Sequence, residues 1–278
     1  MWKHKLGVNI FEAFGAAPAE RARVLAEAGF DAFFPLWKPG EDLAAYAAAA
    51  RDFGMEIPFV HAPFHRVAEI WNAADDTARD AIAEQVECLR DCAANGIGAM
   101  VAHAYIGFED HSPTARGLDR FAGIVREASR LGVKIAFENT EGEEYLAALL
   151  DAFAGERAVG FCWDSGHEMC YNHAQDLLAK WGNRLLATHL NDNLGIRDFG
   201  GKITWRDDLH LLPFDGVADW KANAARLDRC GFDGVMMFEL NVASKPGRHE
   251  NDAYAVLPPA VYLAEAYGRA CRVASLRA

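Results

Sequence analysis

Short apolar runs recur along the chain, and each follows a glycine or polar break and precedes a longer segment with helical periodicity. Eight such runs occur, at 6–10, 30–37, 55–62, 97–104, 133–139, 158–164, 185–191 and 234–240. Nearly uninterrupted apolar runs are typical of strands that are buried on both faces in a parallel sheet covered by helices. The pattern therefore predicts eight strands that alternate with helices.

The segments between the runs carry the signals of helix boundaries. In PAERARVLAEAG, Pro18 suits a first helical turn and Gly29 suits a C-terminal cap, and the segment 114–132 ends in the same way at Gly132. The alanine-rich stretch LAAYAAAARDFG at 43–54 predicts a helix rather than a low-complexity tract. The 278 residues divided among eight units give about 35 residues each, the size of a βα repeat.

This organisation predicts an α/β fold, a single (β/α)8 barrel that spans residues 1–278 as one domain. A doubly wound open sheet is the alternative, but it normally shows a glycine-rich phosphate turn after an early strand, and LGVNIFEAFG fits that motif poorly. The longest interruption, 191–216, lies between the seventh and eighth predicted strands. Long βα loops usually carry function.

Composition and charge narrow the classes of function. The chain has 28 Lys and Arg against 40 Asp and Glu, a net charge of −12, which disfavours nucleic acid as a partner. It lacks a signal h-region and a run of about 18 apolar residues, so we expect a cytoplasmic protein without membrane contact. The six cysteines form no C-x-x-C pair and are expected to be buried thiols. A homo-oligomer stays open, since the final helix at 260–276 could pack on a partner or on the core.

Residues that ligate metals or move protons close most of the apolar runs. They are Asn9 and Glu12 near the first run, then His61, His103, Glu138, Asp164, His189 and Glu239. In a barrel the carboxyl ends of the strands converge on one mouth. Three carboxylates and a histidine at the ends of four consecutive strands would crowd like charges, which is costly unless a divalent cation compensates them. The sequence therefore predicts a metal site formed by Glu138, Asp164, His189 and Glu239.

This donor set narrows the metal only partly. Three hard oxygen ligands and one imidazole suit Mn²⁺, Zn²⁺, Co²⁺ or Mg²⁺, and they leave positions open for a substrate oxygen and water. A structural zinc site would instead have thiolates.

The motifs around these residues resemble the xylose-isomerase-like barrel superfamily. FENT at Glu138, WDSGH at Asp164, HLNDN at His189 and FEL at Glu239 occur in this order on strands five to eight. The D-x-x-H spacing followed by H-x-N-D is specific for the superfamily, and the match spans almost the whole chain. The superfamily includes ketose 3-epimerases, sugar-phosphate isomerases and epimerases, inosose dehydratases and endonuclease-IV-type AP endonucleases.

The resemblance to the epimerases implies that Glu138 and Glu239 are catalytic, one removing a proton next to the carbonyl and the other returning one on the opposite face of the sugar. A divalent cation that polarises a carbonyl beside a carboxylate base suits this chemistry. His167 matches the family histidine that contacts substrate oxygens. Glu144 falls where epimerases carry a second glutamate, although ENTEGEE contains alternatives. Dehydration of a sugar or cyclitol would use the same base and metal.

Several loop residues are candidates for binding the substrate. Trp37 and Trp71, after the second and third strands, would lie near the mouth and stack on a sugar, although most tryptophans are expected to be packing residues. The basic loop residues that could hold a phosphate are Lys38, Arg66, Arg197, Lys202, Arg206, Lys245 and Arg248. Of these, Arg197 is taken as a substrate contact. Whether the small-molecule sugar substrate is phosphorylated stays open.

A second hypothesis comes from histidines that simple epimerases need not have. In endonuclease-IV-type enzymes, histidines on strands three and four and a D-x-H after strand seven complete a trinuclear zinc site, and this chain has candidates for all nine ligands: His61, His103, Glu138, Asp164, His167, His189, Asp208, His210 and Glu239. Such a cluster would favour hydrolysis of a phosphate ester. The net charge and the absence of a basic stretch with interleaved aromatic residues favour the sugar hypothesis.

Two further observations weigh on these hypotheses. The segment DDLHLLPFDGVADW (207–220) also resembles a stretch found in uncharacterised sugar isomerase/epimerase relatives, so His210 alone does not indicate a nuclease. A binding barrel without turnover would have lost a proton-moving carboxylate, and both glutamates are present.

Overall fold

The computed structural model describes residues 4–109, 112–196 and 202–278. Each predicted apolar run contains one strand. The strands are β1 (Leu6–Asn9), β2 (Ala32–Phe34), β3 (Val60–His61), β4 (Ala99–His103), β5 (Lys134–Glu138), β6 (Val159–Asp164), β7 (Leu185–His189) and β8 (Met236–Phe238).

The helices lie between and after the strands. They are α1 (Pro18–Ala28), α2 (Leu43–Asp52), α3 (Val67–Asn72), α4 (Asp75–Ala94), α5 (Ala115–Leu131), α6 (Glu143–Ala152), α7 (Ser165–Cys170), α8 (Leu177–Trp181), α9 (Trp220–Arg229), α10 (Asp252–Ala255) and α11 (Pro259–Ala274). The predicted boundaries hold: Pro18 begins α1, and Gly29 and Gly132 follow α1 and α5 with φ of +108° and +71°. These left-handed caps suit glycine because it has no Cβ.

All the strands pair in parallel, in the orders β2-β1-β8 and β3-β4-β5-β6-β7. Two single parallel bridges, Leu36 with His61 and Leu190 with Phe238, join the two groups at both of their edges. The sheet therefore closes on itself and the helices surround it. The predicted (β/α)8 barrel is confirmed.

Inside the barrel an apolar layer lies next to a polar one. The apolar layer consists of Ala32, Phe34, Phe59, Val101, Ala136, Cys162, Ala187 and Met237. Six of these residues are followed, two positions along the chain, by His61, His103, Glu138, Asp164, His189 and Glu239. Residues two apart on a strand share one face. The candidate site residues therefore form the next layer of the barrel interior, between the apolar layer and the mouth.

One strand adds no side chain to this floor. β1 has Gly7 there, and a Cβ at that position would come within 2.6 Å of Met237 Cε. Met237 from β8 therefore fills the space in front of β1, as expected for a barrel interior that is packed rather than hollow.

Two expectations from composition can be compared with the structure. All six cysteines are free thiols, and four of them, including Cys88 and Cys92 on α4, are buried. Among the helices of the described segments, none is long and apolar enough to span a membrane.

Candidate metal centre and active site

The four residues predicted as metal ligands meet at the mouth of the barrel. Glu138, Asp164, His189 and Glu239 place one ligand atom each within 4.8 Å of one another. Nδ1 of His189 lies 2.9 Å from Glu138 Oε1 and 3.2 Å from Glu239 Oε2. The first three side chains are fully buried, whereas that of Glu239 is 18% exposed. We call this set the central group.

Asp164 is held in place by both of its carboxylate oxygens. Oδ1 accepts a hydrogen bond from the backbone N–H of His167 at 2.7 Å and so caps α7, and Oδ2 accepts one from Asn191 Nδ2 at 2.9 Å. Gly166 leaves the space for Asn191, because a Cβ at this position would clash with the Asn191 amide oxygen. The WDSGH motif thus combines a cap, a close approach and a histidine.

A first flanking group lies on the β3 and β4 side of the centre. His61, His103 and Glu138 bring ligand atoms within 4.8 Å of one another. The Nε2 atoms of both histidines lie 3.5 Å from the same carboxylate oxygen, Glu138 Oε2. Glu138 therefore belongs to both the central and this flanking group, with one oxygen directed to each.

The second flanking group draws its members from the long loop after β7 and from α7. It consists of His167, Asp208 and His210. His210 Nε2 lies 2.8 Å from Asp208 Oδ2, and His167 Nε2 lies 3.4 Å from Asp208 Oδ1. His210 adopts a left-handed backbone with φ of +47°. The structure therefore brings all nine candidate ligands together in three adjoining groups.

Three of the histidines are oriented in the same way. The Nδ1 atoms of His61, His167 and His210 lie within hydrogen-bond distance of the backbone carbonyls of Ala62, Asn139 and Glu239, at 2.8, 2.9 and 3.1 Å. With Nδ1 donating to a carbonyl, Nε2 points to a carboxylate and needs a cation, either a proton or a metal ion, on its lone pair. Metal-bound histidines commonly show this second contact.

The electrostatics of the groups reflect burial and opposed charges. Burial lowers the pKa of His189, but Glu239 and Glu138 outweigh it and raise that pKa to about 9. Burial likewise opposes the charge of His210, and Asp208 raises its pKa to about 9. Burial raises the pKa of Asp164 to about 6. The carboxylates thus favour positive charge at His189 and His210, whereas burial lowers the pKa of His103 well below its usual value.

Several buried atoms indicate that the residues fit a cation. Among the described residues, Glu138 Oε2, His189 Nε2, Asp208 Oδ1 and His103 Nδ1 are buried and have no hydrogen-bond partner. Buried polar atoms normally have one. The carboxylate oxygens among them face histidine nitrogens at 3.4–3.5 Å. Two of these atoms, Glu138 Oε2 and His189 Nε2, come from residues of the central group, and its three carboxylates and one imidazole are the donor set that best fits a divalent cation.

A cavity of about 500 Å³ opens above the groups. Its polar lining is His61, His65, His103, Glu141, His167, Asp208, His210, Glu239 and Lys245, and its apolar lining includes Phe64, Ile106, Phe108, Tyr171 and Trp205. A second compartment of about 350 Å³ shares His61, Phe64, His210 and Glu239 with it. Polar groups that converge beneath aromatic walls suit a small polyhydroxylated ligand.

The predicted substrate contacts fall at different depths. His167 lines the cavity. Glu144 lies in the first turn of α6 and lines a neighbouring cavity, whereas Glu141 lines both. Oε1 of Glu141 accepts a hydrogen bond from the Gly107 N–H at 2.8 Å, and burial raises the pKa of this carboxyl. Arg197 lies outside the described residues.

The structure does not bring Trp37 and Trp71 to the mouth. Trp37 is 2% exposed and its Nε1 donates to Asp91 on α4, at 2.7 Å. Trp71 is fully buried, and its Nε1 donates to the carbonyl of Ala104 at 2.8 Å. Each side chain turns into the layer between barrel and helices, because its large apolar surface is buried there while its N–H finds an acceptor. They pack the core and do not line the cavity.

Three aromatic lining residues, Phe64, Phe108 and Tyr171, were missed from the sequence. Tyr171 lies four residues after His167, and the two rings are 5.1 Å apart between centroids. Residues four apart lie on the same face of a helix, so this spacing could have indicated Tyr171. Phe64 stacks on His103 with centroids 4.7 Å apart, and this contact between the loop after β3 and the end of β4 has no local signal in the sequence.

The fold and the mouth together define a (β/α)8 barrel with a metal-ligand cluster at the carboxyl ends of its strands. The family model described as xylose isomerase-like TIM barrel matches residues 22–258. The chain belongs to that family.

Individual relatives are more distant. An uncharacterised protein, y4fM, from Sinorhizobium fredii (strain NBRC 101917 / NGR234) is 35% identical over 114 residues, which cover 38% of this chain and 33% of that protein. The IolI protein with a bound zinc atom is 18% identical with a TM-score of 0.74, covering 98% of each chain. D-psicose 3-epimerase from Clostridium cellulolyticum H10, solved with D-tagatose, is 15% identical with a TM-score of 0.71, covering 99% of this chain and 100% of that one.

A further solved structure is longer than this chain. It is a xylose isomerase-like TIM barrel/4-hydroxyphenylpyruvate dioxygenase fusion protein, 15% identical with a TM-score of 0.71. The match covers 95% of this chain and 42% of that one. At these identities, the structural matches establish the fold.

Proposed function

We propose that this chain is a divalent-metal-dependent isomerase or epimerase of a small sugar or sugar derivative, which moves a proton next to a carbonyl. The central group carries the proposal, because three carboxylates and one histidine gather within 4.8 Å at the base of a cavity of sugar size. A bound divalent cation would polarise a substrate carbonyl and make the neighbouring C–H more acidic. Similarity in fold to sugar epimerases supports the substrate class.

Asp164 and His189 would hold the metal, because both are fully buried and Asp164 is oriented by two hydrogen bonds. Glu239 is the proposed base that faces the substrate, since it lines both compartments of the cavity. Glu138 is the proposed partner that moves the second proton. It has no exposed surface, so this role requires the substrate to reach Oε2 between His61 and His103.

The remaining lining would bind and orient the substrate. Nδ1 of His167 lies within hydrogen-bond distance of the Asn139 carbonyl, and its Nε2 faces Asp208. The orientation of the imidazole ring is therefore set before the substrate binds. Phe108, Tyr171 and Trp205 would cover apolar faces of the ring and exclude water.

Hydrogen exchange at carbon tests the proposal directly. The metal-loaded protein is incubated in D₂O with ketoses, their phosphates and cyclitols, and NMR follows the carbon next to the carbonyl. We expect deuterium to enter at that carbon with at least one substrate, and a chelator to stop it. A product that has lost water would instead identify a dehydratase. No exchange and no dehydration across the panel would contradict the proposal.

A second candidate function has one specific observation in its favour. All nine residues expected for a multi-zinc phosphodiester hydrolase gather in three adjoining groups. The experiment that separates the two candidates is His210→Ala. A one-metal epimerase should keep most of its activity, whereas a hydrolase that needs three zinc ions should lose cleavage of phosphodiester and abasic-site substrates.

A further inference from the structure

One lysine stands inside the candidate cluster. Lys245 follows β8, and its Nζ donates to Asp208 Oδ2 at 3.0 Å and to the carbonyl of Trp205 at 2.8 Å. The ammonium also lies 5.7 Å from the centroid of the Trp205 ring. The Lys245 side chain is only 16% exposed and lines the cavity. Its positive charge is therefore fixed by three contacts rather than free in solvent.

The oxygen that Lys245 contacts belongs to the second flanking group. Asp208 is the single carboxylate of that group, beside His167 and His210. Its Oδ2 is shared between Lys245 and His210, at 3.0 and 2.8 Å. The one negative charge of the group is thus already matched by an ammonium that the chain itself supplies.

The central group differs in this respect. It contains three carboxylates, and their ion-pair partners in the described parts of the chain are histidines, with no lysine or arginine among them. A divalent cation would therefore enter an excess of negative charge at the central group. At Asp208 it would meet a single carboxylate that already pairs with a fixed ammonium at 3.0 Å, and like charges at this distance in a buried site repel strongly.

We infer that the Lys245 ammonium takes the place of a divalent cation beside Asp208. The central group then binds metal, while His167, Asp208 and His210 stay free of metal. This inference rests on the proposed function and deepens it, because a chain that excludes a metal from this flanking group lacks the third ion of the hydrolase candidate.

Counting metal ions tests the inference without any substrate. Lys245→Met keeps the length and apolar stem of the side chain and removes its charge. Wild type and variant are dialysed against the same low concentration of free Zn²⁺, and zinc per chain is measured by mass spectrometry. We expect Lys245→Met to bind one more zinc ion per chain than wild type. Lys245→Arg keeps the charge and should match wild type, as should Lys221→Met, an exposed lysine on α9.

Asp208→Asn locates the additional ion. Combined with Lys245→Met, it should remove the extra zinc, and in the wild-type background it should leave the zinc content unchanged. Equal zinc in wild type and Lys245→Met, or loss of one zinc from wild type through Asp208→Asn alone, would overturn the inference. The comparison of wild type with Asp208→Asn tests the inference even if circular dichroism shows that Lys245→Met does not fold. Failure to find a substrate would contradict the proposed function and leave the zinc counts standing.

Discussion

Two neighbouring layers of the barrel interior come from the same strands and differ in almost every property. One contains Ala136, Cys162 and Ala187 and is apolar. The other, two residues further along each strand, contains Glu138, Asp164 and His189. The thiol of Cys162 is uncharged like the rest of the apolar layer, because burial raises its pKa well above the usual value.

The difference shows how one sheet divides stability from chemistry. The apolar layer excludes water and fills space, which favours folding. It also gives the layer above a low-dielectric floor, where charges interact more strongly than in water. The polar layer gains its reactivity from that floor at some cost in stability, because its carboxylates are desolvated. Substitutions in the two layers should therefore have opposite signatures.

The largest expected effect is the loss of turnover on substitution in the polar layer. Glu239→Gln keeps the shape and removes the base, so we expect the turnover rate to fall by about 10²–10⁴-fold. The chain should still fold, but its melting temperature should fall somewhat, because His189 and His210 lose a carboxylate partner. Glu138→Gln should behave similarly. Steady-state kinetics and thermal melts measure both effects, with the exposed Glu156→Gln as the matched control. Full activity in both variants would refute the assigned roles.

Substitution in the apolar layer should do the reverse. Met237→Ala leaves a cavity in front of Gly7, and we expect it to lower the free energy of unfolding by about 2–5 kcal/mol. Zinc content below the melting transition should stay as in wild type. Denaturant unfolding measures the loss. Val256→Ala, at a side chain that is 81% exposed, should change stability little. Loss of zinc from Met237→Ala while the protein is still folded would mean that the apolar layer also shapes the metal site, and that the two layers are not separate.

A pair of tryptophans compares core with mouth. Trp37→Phe removes the hydrogen bond to Asp91 and should cost about 1–3 kcal/mol of stability without changing KM. Trp205, which is 50% exposed at the cavity, should respond differently. Trp205→Ala should raise KM by about 3- to 10-fold, equivalent to about 0.5–1.5 kcal/mol of lost contact, and leave the melting temperature unchanged. A raised KM in Trp37→Phe would restore Trp37 as a substrate contact.

The smallest effect concerns the pH dependence of stability. Burial raises the pKa of Glu141 in the folded state above the ordinary value of about 4.5, so the folded state holds its proton to higher pH than the unfolded chain does. This residue therefore makes stability fall as pH rises through the folded-state pKa. Glu141→Gln removes that loss. Its melting temperature relative to wild type should be higher at about pH 7 than at about pH 4. An equal difference at both values would contradict the raised pKa.

Much of the fold follows from patterns of short range. The eight apolar runs and their glycine caps predict the barrel because a strand or helix boundary is set by a few neighbouring residues. The central group follows as well, since Glu138, Asp164 and His189 each end a strand, and parallel strands deliver their ends to one mouth.

The rest depends on contacts between distant parts of the chain. Lys245 meets Asp208 across 37 positions through loops whose course no periodicity predicts. Trp37 and Trp71 follow the second and third strands, where a sugar platform could lie. Their acceptors, the Asp91 carboxylate and the Ala104 carbonyl, lie 54 and 33 positions away, and no local pattern shows that the two side chains pack inward. In ENTEGEE, whether Glu141 or Glu144 lines the cavity depends on where α6 begins. A sequence pattern locates the first residue of a helix only to within a few positions.

The two hydrogen bonds on Asp164 have a kinetic consequence. The cap on α7 and the Asn191 amide fix this carboxylate through the fold alone, so its orientation exists before an ion arrives. If the centre binds a divalent cation as proposed, loading requires no folding step at Asp164, and the loading rate should depend on how fast the incoming ion loses its bound water. Of two metal ions with equal affinity, the ion that exchanges its bound water faster would therefore occupy the site first.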